Sequence, residues 1–277
     1  MAKSALLKSS LAKKYWMALT GLFLCLFLAG HLAGNLQLIF GDALQFNQYA
    51  VFMTTNPAVK LLSYVTYISI LFHAFDGILL TIQNRKARPI GYANENPSAN
   101  SHWASRNMAI LGSLILIFII THMVNFWAVM HFDENMPLQT TTIDVGGGQK
   151  QEFYLTTDGG YLPKMQVEQK AVEIRNRTEF YDAQAKVKLK EGYKDLHKIT
   201  FDYFQDPQYG LIATIMYVLA MFVLAFHLLH GFASAFQSLG VNHPKYNGFI
   251  RVFGKGFAIL VPLLFATIPV YIHFFAK

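Results

Sequence analysis

Four of the ten histidines, His31, His73, His122 and His227, lie well inside long apolar stretches of the chain. An ionisable side chain at such depth is expensive in hydrocarbon, so each is a functional candidate. Neutral imidazole binds iron, copper and zinc well. Any one of the four reads equally as a hydrogen-bonded interior histidine, but four on four successive stretches point to a common role. Their depths divide them. His31 stands sixteen residues after Tyr15 and nine before Phe40, and His122 stands nineteen after Trp103 and nine before His131. His73 lies ten before Gln83, and His227 lies twelve before Leu239. If consecutive stretches run antiparallel, His31 and His122 share one height and His73 and His227 another. Two histidines at each of two heights is the arrangement that ligates two stacked haems b, each iron taking an imidazole from either side.

Glycines accompany three of the four: Gly34 follows His31 by three, Gly77 follows His73 by four and Gly231 follows His227 by four. Residues three or four apart share a helix face, so a glycine there lets a planar macrocycle approach the backbone. Glycine also serves close packing of membrane helices. His230, one turn beyond His227, competes for the fourth position. Ser234 rather than glycine follows it at four, which favours His227 as ligand and leaves His230 a hydrogen-bonding or propionate-side residue. His102, His131, His197, His243 and His273 fall in loops or at borders, where they are expected to be solvated and to hold no metal.

Positioning four buried histidines requires spanning elements. The 277 residues are 53% hydrophobic and 14% charged, a balance that belongs to the membrane class. Five apolar stretches, near 15–40, 58–83, 104–131, 209–238 and 250–275, reach the roughly 20 residues needed to cross about 30 Å of hydrocarbon. Backbone groups in lipid must be satisfied within the segment, so these are helices. The expected fold is an all-α integral membrane protein, one five-helix bundle over residues 1–277. Lys3, Lys8, Lys13 and Lys14 before the first stretch imitate a secretory signal, but that apolar run is much longer than a signal's core of about 7–15 residues. Cys25, the single cysteine, rules out an intrachain disulfide and a cysteine-rich metal site.

Eleven of the 23 basic residues lie in the N-terminus, the loop 84–106 and the stretch 240–255, while the opposite short segments hold only Lys60 and Lys277. The positive-inside rule then places the N-terminus in the cytoplasm and the C-terminus outside. His31 and His122 become the outer pair, His73 and His227 the inner pair. The net charge of +7 is a border effect and implies no nucleic-acid partner. Segment 132–208 carries ten basic and thirteen acidic residues and reads as a polar external insertion, a solvated cap over the outer mouth. Gly146, Gly147 and Gly148 and the run Asp158-Gly159-Gly160 predict turns, and the charge over roughly 165–200 predicts an exposed amphipathic helix. A glycine run without a following Lys-Ser/Thr is no phosphate loop.

The strings Lys14-Tyr15-Trp16-Met17-Ala18-Leu19-Thr20-Gly21, His31-Leu32-Ala33-Gly34-Asn35-Leu36, His73-Ala74-Phe75-Asp76-Gly77-Ile78, His227-Leu228-Leu229-His230-Gly231 and Ser234-Ala235-Phe236-Gln237-Ser238-Leu239-Gly240 together mark a family. The chain resembles the cytochrome b membrane anchor of succinate dehydrogenase and fumarate reductase in its single-subunit, five-helix, di-haem form, over nearly all of the helical portion. The resemblance implies two haems b on ligands from the first four helices, matching His31, His73, His122 and His227, with the outer two paired and the inner two paired. It implies an FAD-containing flavoprotein subunit and an iron–sulfur subunit as partners in a bacterial cytoplasmic membrane. It also implies a quinone, menaquinone or ubiquinone, as the lipid-soluble electron partner. Segment 132–208 departs from the family pattern in being much longer.

Around these ligands, Arg106 in Ser105-Arg106-Asn107 is the preferred propionate anchor, because a guanidinium fork matches a carboxylate. Arg85, Arg251 and Lys255 share the inner border. Asp76, three residues after His73, is a candidate for proton handling or a carboxylate hydrogen-bonded to a neighbouring helix. Quinone binding needs a hydrogen-bond donor near a haem edge and an apolar slot. Asp42, Gln45, Gln48 and Tyr49 supply such groups at the outer level, and they read equally as loop-capping residues. Trp16, Trp103 and Trp127 are interface anchors. Two other classes fit parts of the pattern: the cytochrome b anchor of a formate dehydrogenase or hydrogenase, set apart by its partner subunit, and a proton-coupled transporter, which would bind no haem.

Overall fold

A computed structural model describes residues 9–87, 90, 96, 99 and 101–276. Lys3, Lys8 and Lys277, and part of the loop 84–106, on which the charge asymmetry partly rests, lie outside the described residues. Among the described residues five helices are long and apolar enough to cross a membrane: Ser10–Phe40, Pro57–Ala87, Met108–Phe132, Gly210–Ser238 and Pro244–Phe274. At about 1.5 Å per residue they measure roughly 37–46 Å, more than the ~30 Å of hydrocarbon. The protein is a mostly helical, multi-pass membrane protein.

The spans extend beyond the apolar runs because polar residues supply their ends. Ser9 accepts from the amide of Ala12 at the first helix, and His243 Nδ1 accepts from the amide of Lys245 at the fifth, ahead of which Pro244 fits the first helical position. Between the first and second spans a shorter helix, Ala43–Thr55, is capped by Asp42, whose carboxylate accepts from the amide of Gln45 at 2.7 Å. Directly after His122 the third span loosens into one π-helical stretch, Met123–Ala128. Such turns inside α-helices are frequent at functional positions.

The fourth helix packs against the fifth, the first and the third, and the second leans on the first. Two apolar clusters form the interior. Cys25, Met221, Leu224, Leu228, Phe232 and Ala258 fill the middle and one end, and Leu32, Leu38, Phe46, Phe204, Ile268 and Ile272 close the other. Large apolar side chains such as Leu26, Leu71, Phe75, Ile117 and Phe222 point outward, as a lipid-facing belt requires.

Segment 132–208 is not the amphipathic helix expected over 165–200. It folds as two three-stranded antiparallel sheets. The first comprises β1 (Thr140–Asp144), β2 (Lys150–Leu155) and β3 (Tyr161–Pro163), the second β4 (Val172–Arg175), β5 (Glu179–Asp182) and β6 (Lys188–Glu191). The fold is therefore all-α only in its membrane-spanning part. Hydrophobic residues recur at period two, as in Val172-Glu173-Ile174-Arg175, and Val172 pairs with Asp182 and Ile174 with Phe180. The charges that suggested a helix instead bridge strands and turns: Lys188 reaches Glu179 at 2.6 Å and Glu191 at 3.0 Å, and Lys186 reaches Glu173 at 2.9 Å. Phe180, with no exposed surface, anchors a small core with Leu162 and Val172. The predicted glycine turns are present, with Gly146, Gly147, Gly148 and Gly159 all at positive φ. The helices within the segment are Lys164–Glu168, of five residues, and Leu196–Gln205, of ten, at its end.

This β unit is tied to one end of the bundle. Arg177 donates to the carbonyl of His131, and Lys194 Nζ donates to that of Met130 at 2.5 Å, so two cations satisfy the C-terminal carbonyls of the third span. Asn47, fully buried, donates to Asp195 Oδ1 at 2.9 Å and accepts from the amide of His197 at 3.0 Å. At the same end Gln205 donates to the carbonyls of Ile272 and Ala276. We call this the sheet side and the opposite end the far side.

Candidate functional site

Height along the bundle follows from the helical rise. His31 lies nine residues before Phe40 and His122 ten before Phe132, about 14–15 Å below the sheet-side ends of their helices. His73 lies sixteen residues after Pro57 and His227 seventeen after Gly210, about 24–26 Å below them. Each pair meets. The His31 and His122 ring centroids are 5.9 Å apart at 84°, and those of His73 and His227 are 6.1 Å apart at 67°. His227, not His230, faces His73. All four rings are half-buried in the splayed interior.

Each imidazole has two nitrogens, and the hydrogen bond made by one decides what the other can do. His73 Nδ1 lies 3.2 Å from the carbonyl of Met17 and 3.4 Å from Thr20 Oγ1. A carbonyl only accepts, so Nδ1 carries the proton and Nε2 keeps its lone pair. His31 Nδ1 lies 3.3 Å from Asn35 Nδ2, and His122 Nδ1 3.4 Å from the Tyr217 hydroxyl. His227 Nδ1 is buried and has no hydrogen-bond partner among the described residues, a costly arrangement for a polar atom unless something binds there. Among the described residues no group of three or more His, Cys, Asp and Glu side chains gathers as a metal site. Each pair therefore offers two protein ligands only.

The glycines divide. Nothing lies within 4 Å of where a side chain would begin at Gly77 or Gly231, so the room expected there exists. At Gly34 it does not: a Cβ would meet the Tyr49 ring at 2.5 Å. Gly34 makes room for Tyr49, which the Ala43–Thr55 helix folds back onto the first span, and not for a macrocycle. Two glycines that sequence spacing did not single out do face histidines. A Cβ at Gly21 would lie 3.1 Å from His73 Cε1, and one at Gly112 would lie 3.8 Å from His227 Cε1. Both face their histidine from a neighbouring helix, where spacing along one chain segment carries no signal.

Of the quinone candidates, Asp42, Gln45 and Gln48 are exposed on the Ala43–Thr55 helix, Asp42 as its cap. Only Tyr49 reaches the first span, where burial raises its phenol above the ordinary range. Arg106 is exposed and donates to the carbonyl of Ser101. His230 is half-buried, and Asp76 is buried one turn from His73. Three of the five histidines expected to be solvated are engaged instead. His131 stacks on Trp127 with centroids 4.5 Å apart, His197 stacks on Phe201 at 4.1 Å, and His273 Nδ1 lies 2.6 Å from the carbonyl of Phe204. His102 and His243 are exposed as expected. Trp127, more than an interface anchor, donates from its indole to the Tyr67 hydroxyl at 2.9 Å.

Outside the membrane the electrostatics are those of a solvated unit with a buried seam. The Thr156 hydroxyl, Lys190 and the Gly160 amide hold the Asp158 carboxyl down at about 2. Burial, aided by the charge of Arg177, lowers Lys194, and burial lowers His197 against the opposing pull of Asp195 and Asp42.

Comparison with family models, curated proteins and solved structures finds no match to this chain.

Proposed function

We propose that the chain is a di-haem membrane cytochrome b, the quinone-reactive anchor subunit of a succinate:quinone oxidoreductase. The observation that carries this reading is the spacing of the two histidine pairs. A metal held between two imidazole nitrogens, each ~2.0–2.1 Å away as for zinc, puts the ring centroids about 6 Å apart, and the separations are 5.9 and 6.1 Å. Two protein ligands per centre suit a metal whose other positions are filled by a macrocycle, and open space at Gly77 and Gly231 suits a flat ring on the far side. A haem iron, when bound, carries one electron at a time.

His31 and His122 would hold one haem and His73 and His227 the other, at heights about 10 Å apart. His73 is fixed in the metal-binding tautomer by Met17, which orients its ring and raises its basicity. The flavoprotein and iron–sulfur partners, and the placing of the N-terminal side in the cytoplasm, rest on the motifs and charge asymmetry of the sequence. The sheet side is then external, and a quinone reacting beside Tyr49 would meet the outer haem.

The test is a haem count with reduced-minus-oxidised spectra on the purified chain. Two haems b per chain are expected, with a flavoprotein and an iron–sulfur protein co-purifying from the native membrane. No cytochrome bands, or one haem per chain, would overturn the di-haem reading, and a molybdenum or nickel–iron partner would overturn the succinate assignment.

A further inference from the structure

Tyr217 is a polar side chain of the fourth helix in contact with the sheet-side pair. It sits within a ring of aromatics, with centroids 5.0 Å from Phe118 and Phe204 and 6.0 Å from His122 and Tyr203. Its hydroxyl lies 3.4 Å from His122 Nδ1, the long end of hydrogen-bond contact, and the cage fixes the direction in which it points. The Tyr217 ring packs edge-on against that of Tyr203, at 63°. Tyr203 accepts from Asn125 Nδ2 at 2.7 Å, and Asn125 belongs to the π-helical stretch that follows His122. Tyr203 lies on the helix Leu196–Gln205, which Asp195 and Asn47 fasten to the β unit and to the Ala43–Thr55 helix. A chain of ring and polar contacts thus runs from an interior histidine to the extramembrane unit. At the far pair the corresponding contacts stay within the spanning helices: His73 Nδ1 meets the Met17 carbonyl and the Thr20 hydroxyl of the first helix, and His227 Nδ1 has no hydrogen-bond partner among the described residues.

The geometry points to Tyr217 as a positioning residue for the sheet-side haem: its hydroxyl accepts the Nδ1 proton of His122, and Tyr203 and Asn125 link that contact to the extramembrane helix. This rests on the di-haem reading above. When Nε2 of an imidazole binds a metal, Nδ1 bears the proton. An acceptor there makes the ring a stronger electron donor and favours the oxidised metal. The extramembrane helix thereby supports the outer redox centre through the packing of Tyr203 on Tyr217 and the hydrogen bond from Asn125.

The experiment is redox potentiometry of both haems, followed by their spectra, on the purified full chain and on Tyr217→Phe. The variant keeps the aromatic cage and removes only the hydroxyl. Two haems are expected to remain. One is expected to shift toward the reduced form by about tenfold in its equilibrium, about 59 mV for a one-electron couple, while the other stays in place. Tyr203→Phe is expected to move the same centre in the same direction by less, and it decides the matter if Tyr217→Phe does not accumulate. The moving centre is expected to be the one missing in His31→Ala. Two haems with neither potential moved, both moved equally, or only the far centre moved would overturn the role of Tyr217 and leave the di-haem reading standing. A wild-type chain without haem would overturn both.

Discussion

The sheet-side pair, His31 with His122, is enclosed by side chains brought from several distant segments: Asn35 on the first helix, Tyr217 on the fourth, and Tyr203 and Phe204 from the segment before it. The far pair, His73 with His227, rests on the spanning helices alone, through the Met17 carbonyl, Thr20, and glycines at 21 and 112. Both pairs have nearly the same ring separation. The difference lies in how each is supported: local helix geometry suffices on the far side, whereas the sheet side depends on contacts nearly 150 residues apart in the chain, such as Asn47 with Asp195. A pair built from local geometry should be insensitive to the β unit, and one built from long-range contacts should not.

The largest expected effect comes from the histidines themselves. His31→Ala and His122→Ala should each remove the same single haem, and their double variant should still hold one. His31→Ala with His73→Ala should hold none, and spectral counting of each purified variant checks this. A double variant at 31 and 122 without haem would show that the two centres are not independent.

Next in size, Asn47→Leu should leave the His197 amide and part of the Asp195 carboxylate unpaired in a buried place, a cost of about 1–3 kcal/mol per group. Faster hydrogen exchange over 196–205 and a perturbed sheet-side spectrum are expected, with the far centre unchanged.

Glycine substitutions separate the two regions again. Gly34→Ala drives a methyl into the Tyr49 ring, an overpacking cost of about 1–3 kcal/mol. It should be read as a lower melting temperature with only the sheet-side spectrum altered. Gly21→Ala, which meets His73 Cε1 at 3.1 Å, should alter only the far centre, and by less, because an imidazole edge can shift by tenths of an ångström. Opposite assignments in the spectra would break the comparison.

The smallest expected effect is of pH. Burial holds His197 below its ordinary value, so as pH falls through about 6.5 the unfolded chain takes up a proton that the folded chain resists. The stability of the sheet-side seam is full above that pH and declines below it, until the lowered folded value is reached. Because the ring is half-exposed and screened, a fall of about 2 °C or less in melting temperature is expected between pH 7.5 and 5.5. Replacing His197 by Phe, which retains the stack on Phe201, should abolish it.

The sequence alone determined the five spans and marked four histidines deep within them, at two heights. Hydrocarbon leaves a helix no alternative, and a buried histidine among leucines stands out by cost. It also determined the glycine turns, because positive φ selects glycine at 146–148 and 159. It misled over 165–200, where charge density outweighed a period-two pattern carried by few apolar residues such as Val172, Ile174 and Phe180. Only the tertiary structure decided that Gly34 serves Tyr49, that Gly21 and Gly112 face histidines, and that Tyr217, Tyr203, Asn125 and Asn47 form the sheet-side support. Those residues are ordinary tyrosines and asparagines whose roles arise from neighbours far along the chain, and periodicity in one helix says nothing about what another helix brings against it.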